Sequence, residues 1–344
     1  MTTNPENPEI QQSPARQSDE SATGSPPENE SFTFSQVFIG PDGLRAGWSL
    51  LIFICLVVAF VYATNIIGRK LLASAPKPSP DTPLSLQFGI ITELLPFLAL
   101  LFISWVMSKI EKRSTSAYGF GGTHKLRNFL AGLGWGVTCL SLLVLTLWQA
   151  GLLVFDRRLL FGLEIARRGL LWLFGFLLVG LLEEYLSRGY LQYTLTRGLA
   201  GIYKWAFKSP HSKAMGFWTS AAVFSVLFGL GHQANPGESP IGLLAAGLVG
   251  MVFCLSLWRT GSLWWAVGFH AAWDWAQSFL YGVADSGLMI QHHLFATHPV
   301  GKPLLSGGGT GPEGSIFVIG ILAIVVLIIF FTLPDANKAE APAQ

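Results

Sequence analysis

The sequence predicts an all-α membrane protein, a polytopic transmembrane helix bundle of about eight spans. Three observations predict this class. Of the 344 residues, 51% are hydrophobic and only 12% are charged, whereas soluble domains carry about 25% charged residues. The apolar residues form runs of about 20, the length that a helix needs to cross the hydrocarbon core of a bilayer. Aromatic residues are also abundant, with 12 Trp and 25 Phe.

The segments that separate the runs have their own character. The sixth and seventh runs are separated only by the turn at 259–261, which predicts a tight antiparallel hairpin. Residues 200–213 mix aromatic residues with Lys, a composition typical of the lipid–water interface. Residues 282–314 include the Gly-rich stretch SGGGTGPEG and are predicted to form a flexible connection. In chain order, the predicted spans are 47–67, 87–108, 128–150, 169–194, 214–232, 241–258, 262–281 and 315–333.

Four regions follow from this pattern. Residues 1–40 are predicted to be a disordered tail, because a Pro-, Ser- and Glu-rich segment cannot bury enough apolar surface to order itself. Residues 41–160 hold the N-terminal transmembrane helices, and 161–285 hold a helical core that contains the ionisable residues discussed below. Residues 286–344 supply a loop, the last transmembrane helix and a short tail.

Charge and cysteine content exclude several classes. A net charge of +2 without a basic stripe argues against a nucleic-acid partner and leaves membrane lipid as the expected surroundings. Cys55, Cys139 and Cys254 lie far apart in apolar runs, which argues against a disulfide framework or a Cys-rich zinc site. Eight spans place both termini on one side, which carries 13 of the 22 Lys and Arg residues against 8 on the other. This bias favours termini in the cytoplasm.

The fourth span contains charged residues in the pattern LLEEYLSRGYL. Glu184 and Arg188 are four residues apart, so they share a helix face and can form an ion pair. Pairing is required because an isolated charge in hydrocarbon is unfavourable. Glu183 lies about 100° around the helix and lacks that partner. It is therefore the candidate general base.

Two later spans carry polar residues at the same helical spacing. Phe228 and His232 are four residues apart, as are His270 and Asp274. Each pair alone has a structural interpretation, either a histidine near a helix end or a polar clamp between helices. Together with the fourth span, they supply carboxylates, an arginine and two histidines. This set predicts a hydrolytic site, with or without zinc.

Other ionisable residues give weaker signals. Glu93 lies near Pro96 in the second span and either faces the same cavity or reaches the interface. With the spans drawn above, Glu183 and His270 lie nearer one membrane face, and His232 lies late in a span that runs towards the other. A loop also contains three histidines without regular helical spacing, a weak candidate for a metal site: His292, His293 and His298.

The three motifs, in this order, resemble the CPBP family of CAAX and bacteriocin-processing proteases, also called Abi, which includes the type II CAAX prenyl endopeptidases. The family pattern is EExxxR, FxxxH and then HxxxN or HxxxD. Here the motifs are EEYLSR at 183–188, FGLGH at 228–232 and HAAWD at 270–274. The resemblance covers roughly 169–281, so residues 161–285 are expected to be the catalytic core.

The resemblance implies an intramembrane endopeptidase that hydrolyses a peptide bond at or near a membrane, in CAAX-type or related C-terminal processing. It implies that Glu183 and His232 activate water, and that His270 and Asp274 stabilise the oxyanion or help to bind a metal. Family members have been described as metalloproteases and as metal-independent enzymes, so zinc stays open. The implied supporting residues are Glu184, Arg188 and Phe228, and the implied metal ligands are His232, His270 and Asp274.

Asp274 occupies a position at which the family has Asn or Asp. An ionised Asp only accepts hydrogen bonds, so it cannot stabilise an oxyanion as an Asn amide would. Asp274 therefore orients His270, binds a metal or is protonated, and we favour orientation of His270. The expected partner is a protein or peptide substrate, lipid-modified or not, and the expected location is a bacterial plasma membrane.

Two other functions fit the same residues. A non-catalytic membrane scaffold or immunity protein would keep the polar core for stability. A proton-coupled transporter would use the carboxylates as a proton relay. The sequence shows no internal repeat by inspection, which counts against the transporter.

Overall fold

The computed structural model describes residues 35–40, 43–71 and 82–334, so most of the predicted tail lies outside the described residues. The predicted all-α membrane bundle is confirmed. Two short strand pairs accompany the helices, β1 (Ile39–Gly40) with β2 (Gly43–Leu44), and β3 (Leu153–Arg158) with β4 (Phe295–Pro299). The main helices of the described residues are α1 (Ala46–Leu71), α2 (Leu86–Ile110), α3 (Lys125–Gln149), α4 (Leu163–Glu184), α5 (Gln192–Phe207), α6 (Ser212–Gly231), α7 (Pro240–Thr260), α8 (Trp264–Trp275) and α9 (Phe317–Thr332).

All eight predicted spans are helical, but they differ in length. Six helical segments of the described residues are long and apolar enough to cross a membrane, and they correspond to the first six predicted spans. The seventh span is the 12-residue helix α8, continued by a π-helical segment at Ala276–Leu280. The eighth is the 16-residue helix α9. Helix α8 is buried along most of its length and forms the centre of the bundle.

The fourth span is longer than predicted. Helix α4 continues through a π-helical segment, Tyr185–Leu191, into α5, and the continuous helix has 45 residues. At 1.5 Å per residue it is about 67 Å long, about twice the thickness of a hydrocarbon core. The prediction that this helix ends near residue 194 is therefore wrong, and residues 200–207 of the expected interfacial segment extend it. Trp205 near its end is 83% exposed.

The long helix also changes the expected depth of the site residues. Helix α6 packs along α5 after a short connection and therefore runs back towards the π-helical segment. Helix α6 has 20 residues, which is close to the combined length of α5, with 16 residues, and the π-helical segment Tyr185–Leu191, with 7. The end of α6 thus returns to the level of α4's last turn. The depth difference expected between Glu183 and His232 does not arise.

Helix α8 packs mainly against α3 and α4 and has few contacts with α7, so the predicted tight hairpin of the sixth and seventh spans is wrong. Glycines in α3 explain why α8 packs against this helix. A Cβ atom at Gly132 of α3 would lie 2.2 Å from the Trp265 carbonyl oxygen, and one at Gly136 would lie 2.4 Å from that of Phe269. Small residues let helix backbones approach closely in a membrane. The Gly132–Gly136 spacing is the sequence signal for this crossing.

The segment predicted to be a flexible connection is folded. Strand β4 pairs antiparallel with β3, and Ser306, Thr310 and Ser315 are buried. Its glycines allow tight packing, since Gly311 has φ +109° and a Cβ atom there would lie 2.0 Å from the Ala284 carbonyl oxygen. The glycines of this segment therefore allow its backbone to pack closely against neighbouring backbone.

A buried carboxylate, Glu111, anchors the π-helical segment at Tyr185–Leu191 to the end of α2. Glu111, just after α2, accepts hydrogen bonds from Tyr190 at 2.8 Å and Tyr118 at 3.1 Å. Arg197 of α5 lies 3.8 Å from the same carboxylate. These contacts join the end of α2 to the segment that carries Arg188.

Candidate active site

The first motif lies where α4 changes into the π-helical segment. Glu184 is the last residue of α4, and Arg188 lies within the π-helical turn. The Arg188 Nη1 group donates to Glu184 Oε1 at 2.9 Å, and both side chains are 0% exposed. The structure therefore contains the pair that the spacing predicts. Single π-helical turns within α-helices are frequent at functional sites.

Phe228 contacts the guanidinium of Arg188. The Arg188 Cζ atom lies 4.0 Å from the centre of the Phe228 ring, a favourable cation–π contact where water is excluded. Gly250 of α7 provides space on another side, because a Cβ atom there would lie 2.7 Å from Arg188 Nη2. The guanidinium is thus enclosed by α6 and α7 as well as by its own helix.

Glu184 also holds His270. The Nδ1 atom of His270 lies 3.0 Å from the same Oε1 atom that accepts from Arg188. Because an ionised carboxylate only accepts, His270 Nδ1 carries the proton in this hydrogen bond. The Nε2 atom of His270 lies 3.7 Å from Glu183 Oε2 and 3.4 Å from Asp274 Oδ2. The Glu184 contact joins residues 86 positions apart, so helical spacing could not have revealed it.

His232 begins a short 3₁₀ turn directly after α6. Its Nδ1 atom lies 2.8 Å from the Phe228 carbonyl oxygen. A carbonyl only accepts hydrogen bonds, so Nδ1 is the donor and a neutral ring keeps its lone pair on Nε2. The second motif therefore places a hydrogen-bond acceptor at the end of α6.

One cavity of about 270 Å³ brings the predicted residues together. Glu183 is the most accessible carboxylate of the first motif, 31% exposed at the side chain, and its Oε2 atom has no hydrogen-bond partner among the described residues. Glu93, whose direction the sequence left open, lines the cavity as well. The four predicted catalytic residues that line it are Glu183, His232, His270 and Asp274.

The loop histidines do not form a cluster. His298 pairs with Asp156 at 2.8 Å, and His293 bonds to the Phe295 carbonyl oxygen at 2.6 Å. His292 is not among the residues that line the cavity.

Sequence reasoning missed several polar residues of the cavity. Asn235 follows the 3₁₀ turn after α6, and Asp285, Ser286 and Glu313 come from the segment that was expected to be flexible. Glu313 Oε1 accepts from the backbone N–H of Ser286 and from its hydroxyl at 3.1 Å. No motif marks these residues, and the packing of the turn at Pro312–Gly314 against α7 brings Glu313 to the site.

The expected metal ligands do not fit a zinc centre in this arrangement. Zinc sites in proteins use three or four converging side chains. Within the part of the chain that the structure describes, no group of three or more His, Cys, Asp or Glu side chains is placed to hold a metal ion. The ring of His270 instead lies between Glu184 on one side and Glu183 and Asp274 on the other.

The fold and the site together define the class of this protein. It is a polytopic helical membrane protein with a buried centre of glutamate and histidine side chains. Residues 165–276 match the family model described as "Type II CAAX prenyl endopeptidase Rce1-like". The match includes all three motifs and confirms the resemblance to the CAAX protease family, which implies a protease with a protein substrate in a membrane. No curated protein and no solved structure matches the chain.

Proposed function

We propose that this protein is an intramembrane endopeptidase in which Glu183 and His232 activate a water molecule for attack on a peptide bond. One observation carries the proposal. The four predicted catalytic side chains, from three separate segments, line a single cavity, and the most accessible carboxylate of the first motif has a buried oxygen without a hydrogen-bond partner among the described residues. A base with an unengaged oxygen beside a cavity is what water activation requires.

The proposed reaction begins when Glu183 takes a proton from water that is also held by Nε2 of His232. The resulting hydroxide attacks the carbonyl carbon of the scissile bond and forms a tetrahedral oxyanion. His270 in its doubly protonated form donates from Nε2 to that oxyanion, and the carboxylates of Glu184 and Asp274 compensate its charge while Glu183 holds the proton. Glu183 then gives the proton to the leaving amine as the C–N bond breaks.

Glu184, Arg188 and Phe228 hold this geometry without touching the substrate. Glu184 accepts from His270 and Arg188 through one oxygen, and Phe228 covers the guanidinium. Asp274 is assigned to His270, whose Nε2 it approaches. We further propose that residues 161–285 form the catalytic core, that the protein lies in a bacterial plasma membrane, and that both termini face the cytoplasm.

The test uses purified protein in proteoliposomes and a panel of peptides that represent C-terminal and juxtamembrane sequences. Glu183→Ala is expected to lower kcat by about 100-fold or more, the usual contribution of a general base. Glu164→Ala is the matched control, because Glu164 is an exposed carboxylate on the same helix. Cleavage unchanged by Glu183→Ala would contradict the assigned role. Uptake driven by a pH gradient, without peptide products, would indicate a transporter.

Metal dependence has a separate expected outcome. Because the described side chains do not converge as a zinc site, treatment with a chelator is expected to have a partial effect at most on peptide cleavage. Metal analysis of the purified protein provides the check. Stoichiometric zinc that is lost in the His270→Ala variant would contradict this prediction.

A further inference from the structure

Two spaces meet at Glu183 and His232. One is the catalytic cavity, and the other is a groove of about 360 Å³. Both are lined by Glu183, Phe228, His232 and Asn235. A peptide bond placed at Glu183 is therefore next to two separate spaces, which can take side chains from the two sides of the bond.

The groove is apolar and opens on the outer surface of the bundle. It lies between the π-helical segment and α6, and its walls include Leu186, Leu191, Phe224 and Leu227. Leu227 is 53% exposed. In a membrane this surface meets lipid, so an apolar side chain can enter the groove from the bilayer without leaving an apolar environment.

The cavity differs from the groove in carrying several carboxylates among its apolar walls. Among the described residues that line it, none is Lys or Arg, and the only side chains able to carry positive charge are His232 and His270. The carboxylates that line it are Glu93, Glu183, Asp274, Asp285 and Glu313. Glu93, Glu183 and Asp274 come from the helices, whereas Asp285 and Glu313 come from the folded segment that follows α8.

Hydrogen bonds hold the two loop carboxylates in place. Glu313 accepts from the N–H and hydroxyl groups of Ser286, and Asp285 Oδ2 accepts from the Ser278 hydroxyl at 3.3 Å. Burial, together with the carboxylates of Asp274 and Glu313, raises the pKa of Asp285 well above its ordinary value. A cation between these carboxylates would relieve their repulsion.

We infer that the substrate peptide lies across Glu183 with an apolar side chain in the groove and a Lys or Arg side chain in the cavity, against Asp285 and Glu313. The inference rests on the proposed protease function and names its substrate class, a membrane-associated peptide with apolar and basic residues on opposite sides of the cleaved bond. A free C-terminal carboxylate in this cavity is disfavoured by the same charges. Asp285 and Glu313 lie outside the matched region, 165–276.

The cavity half is tested with peptides that differ only by Lys, Gln or Glu at each position flanking the cleaved bond. The wild-type protein in proteoliposomes is expected to prefer Lys to Gln by about tenfold in kcat/KM and to cleave the Glu peptide least. Joint substitution of Asp285→Asn and Glu313→Gln is expected to remove the preference, so that the ratio of kcat/KM for the Lys peptide to kcat/KM for the Gln peptide falls to about one. Glu164→Gln, an exposed carboxylate, is the control.

The groove half is tested with Leu227→Trp, which fills the groove. The ratio of kcat/KM for a peptide with Leu at the flanking position to kcat/KM for the matching Ala peptide is expected to fall. Leu230→Trp provides the control, since Leu230 is similarly exposed on α6 but lines neither space. Equal effects of the two Trp substitutions would overturn this half.

Photo-crosslinking of the same peptides to wild-type protein separates failure of this inference from failure of the protease function. Cleavage without a charge preference, or a preference that survives the double substitution, overturns the inference and leaves the protease function standing. If no peptide is cleaved, crosslinking still tests the inference, because it reports binding of the peptide without cleavage. Stronger crosslinking of Lys peptides that is lost in the double variant supports the inference, and equal crosslinking of Lys and Glu peptides overturns it.

Discussion

At the scale of single residues, Glu184 connects the charged groups of the site. One of its oxygens accepts from Arg188 and from His270, and the carboxylate is fully buried. Removing one partner of a buried ion pair leaves an uncompensated charge, which is more destabilising than the loss of the contact alone. Glu184 is therefore needed for stability as well as for the position of His270.

Glu184→Gln keeps the size of the side chain but removes its charge. We expect the free energy of unfolding to fall by about 3–5 kcal/mol, because Arg188 then stays buried without a counter-ion. Thermal unfolding in detergent micelles measures the change. Glu164→Gln removes an exposed ion-pair partner of Arg167 and Arg168 and is expected to leave the unfolding temperature unchanged. Equal losses in the two variants would contradict the assignment.

At the scale of the elements, the crossing of α3 and α8 positions the third motif. Helix α8 carries His270 and Asp274, and it approaches α3 so closely that Gly132 lies against the Trp265 carbonyl oxygen. Helix α4 contacts the other side of α8. The distance between His270 and Glu184 therefore depends on a backbone contact that lies outside the three motifs.

Gly132→Ala is expected to push α3 away from α8 and to lower the free energy of unfolding by about 1–3 kcal/mol, as overpacking commonly does. Gly134→Ala is a matched control on the same helix, since a Cβ atom there has no neighbour within 4 Å. It is expected to be neutral or slightly stabilising, because Ala favours helices more than Gly does. Thermal unfolding of both variants decides, and a loss of equal size at Gly134 would argue against the close crossing.

At the scale of the whole molecule, eight helical segments that all cross the membrane would place both termini on one side. The distribution of Lys and Arg favours the cytoplasm for that side. The buried centre of the bundle is α8, which packs against α3 and α4, and residues of the segment after it line the cavity.

This topology predicts the labelling of single cysteines by a membrane-impermeant maleimide in a Cys55→Ser background. We expect Ser25→Cys and Ala341→Cys to react only after permeabilisation, because both termini are proposed to lie in the cytoplasm. Lys302→Cys is expected to react in intact cells, since Lys302 is exposed and the proposed topology puts its segment on the side opposite to the termini. Labelling of the two termini from different sides would contradict an even number of spans.

Part of this structure could be predicted from local pattern. Apolar runs predicted the helices, and the four-residue spacing predicted the Glu184–Arg188 pair. Contacts between distant segments could not be read in this way, as the Glu184–His270 hydrogen bond and the partners of α8 show. The prediction that the Gly-rich segment is flexible was wrong for another reason. Glycine composition is the same whether it gives freedom or close packing, and only the surrounding backbone distinguishes the two.

The central claim is that Glu183 is the base of a membrane protease, and proteomics of protein termini in cells tests it most directly. Cells that produce wild-type protein are compared with cells that produce Glu183→Ala at the same level, with Glu164→Ala as the control. We expect a set of C-terminal and juxtamembrane cleavage products that is present with wild type and Glu164→Ala and absent with Glu183→Ala. The same products at the same abundance in all three would contradict it.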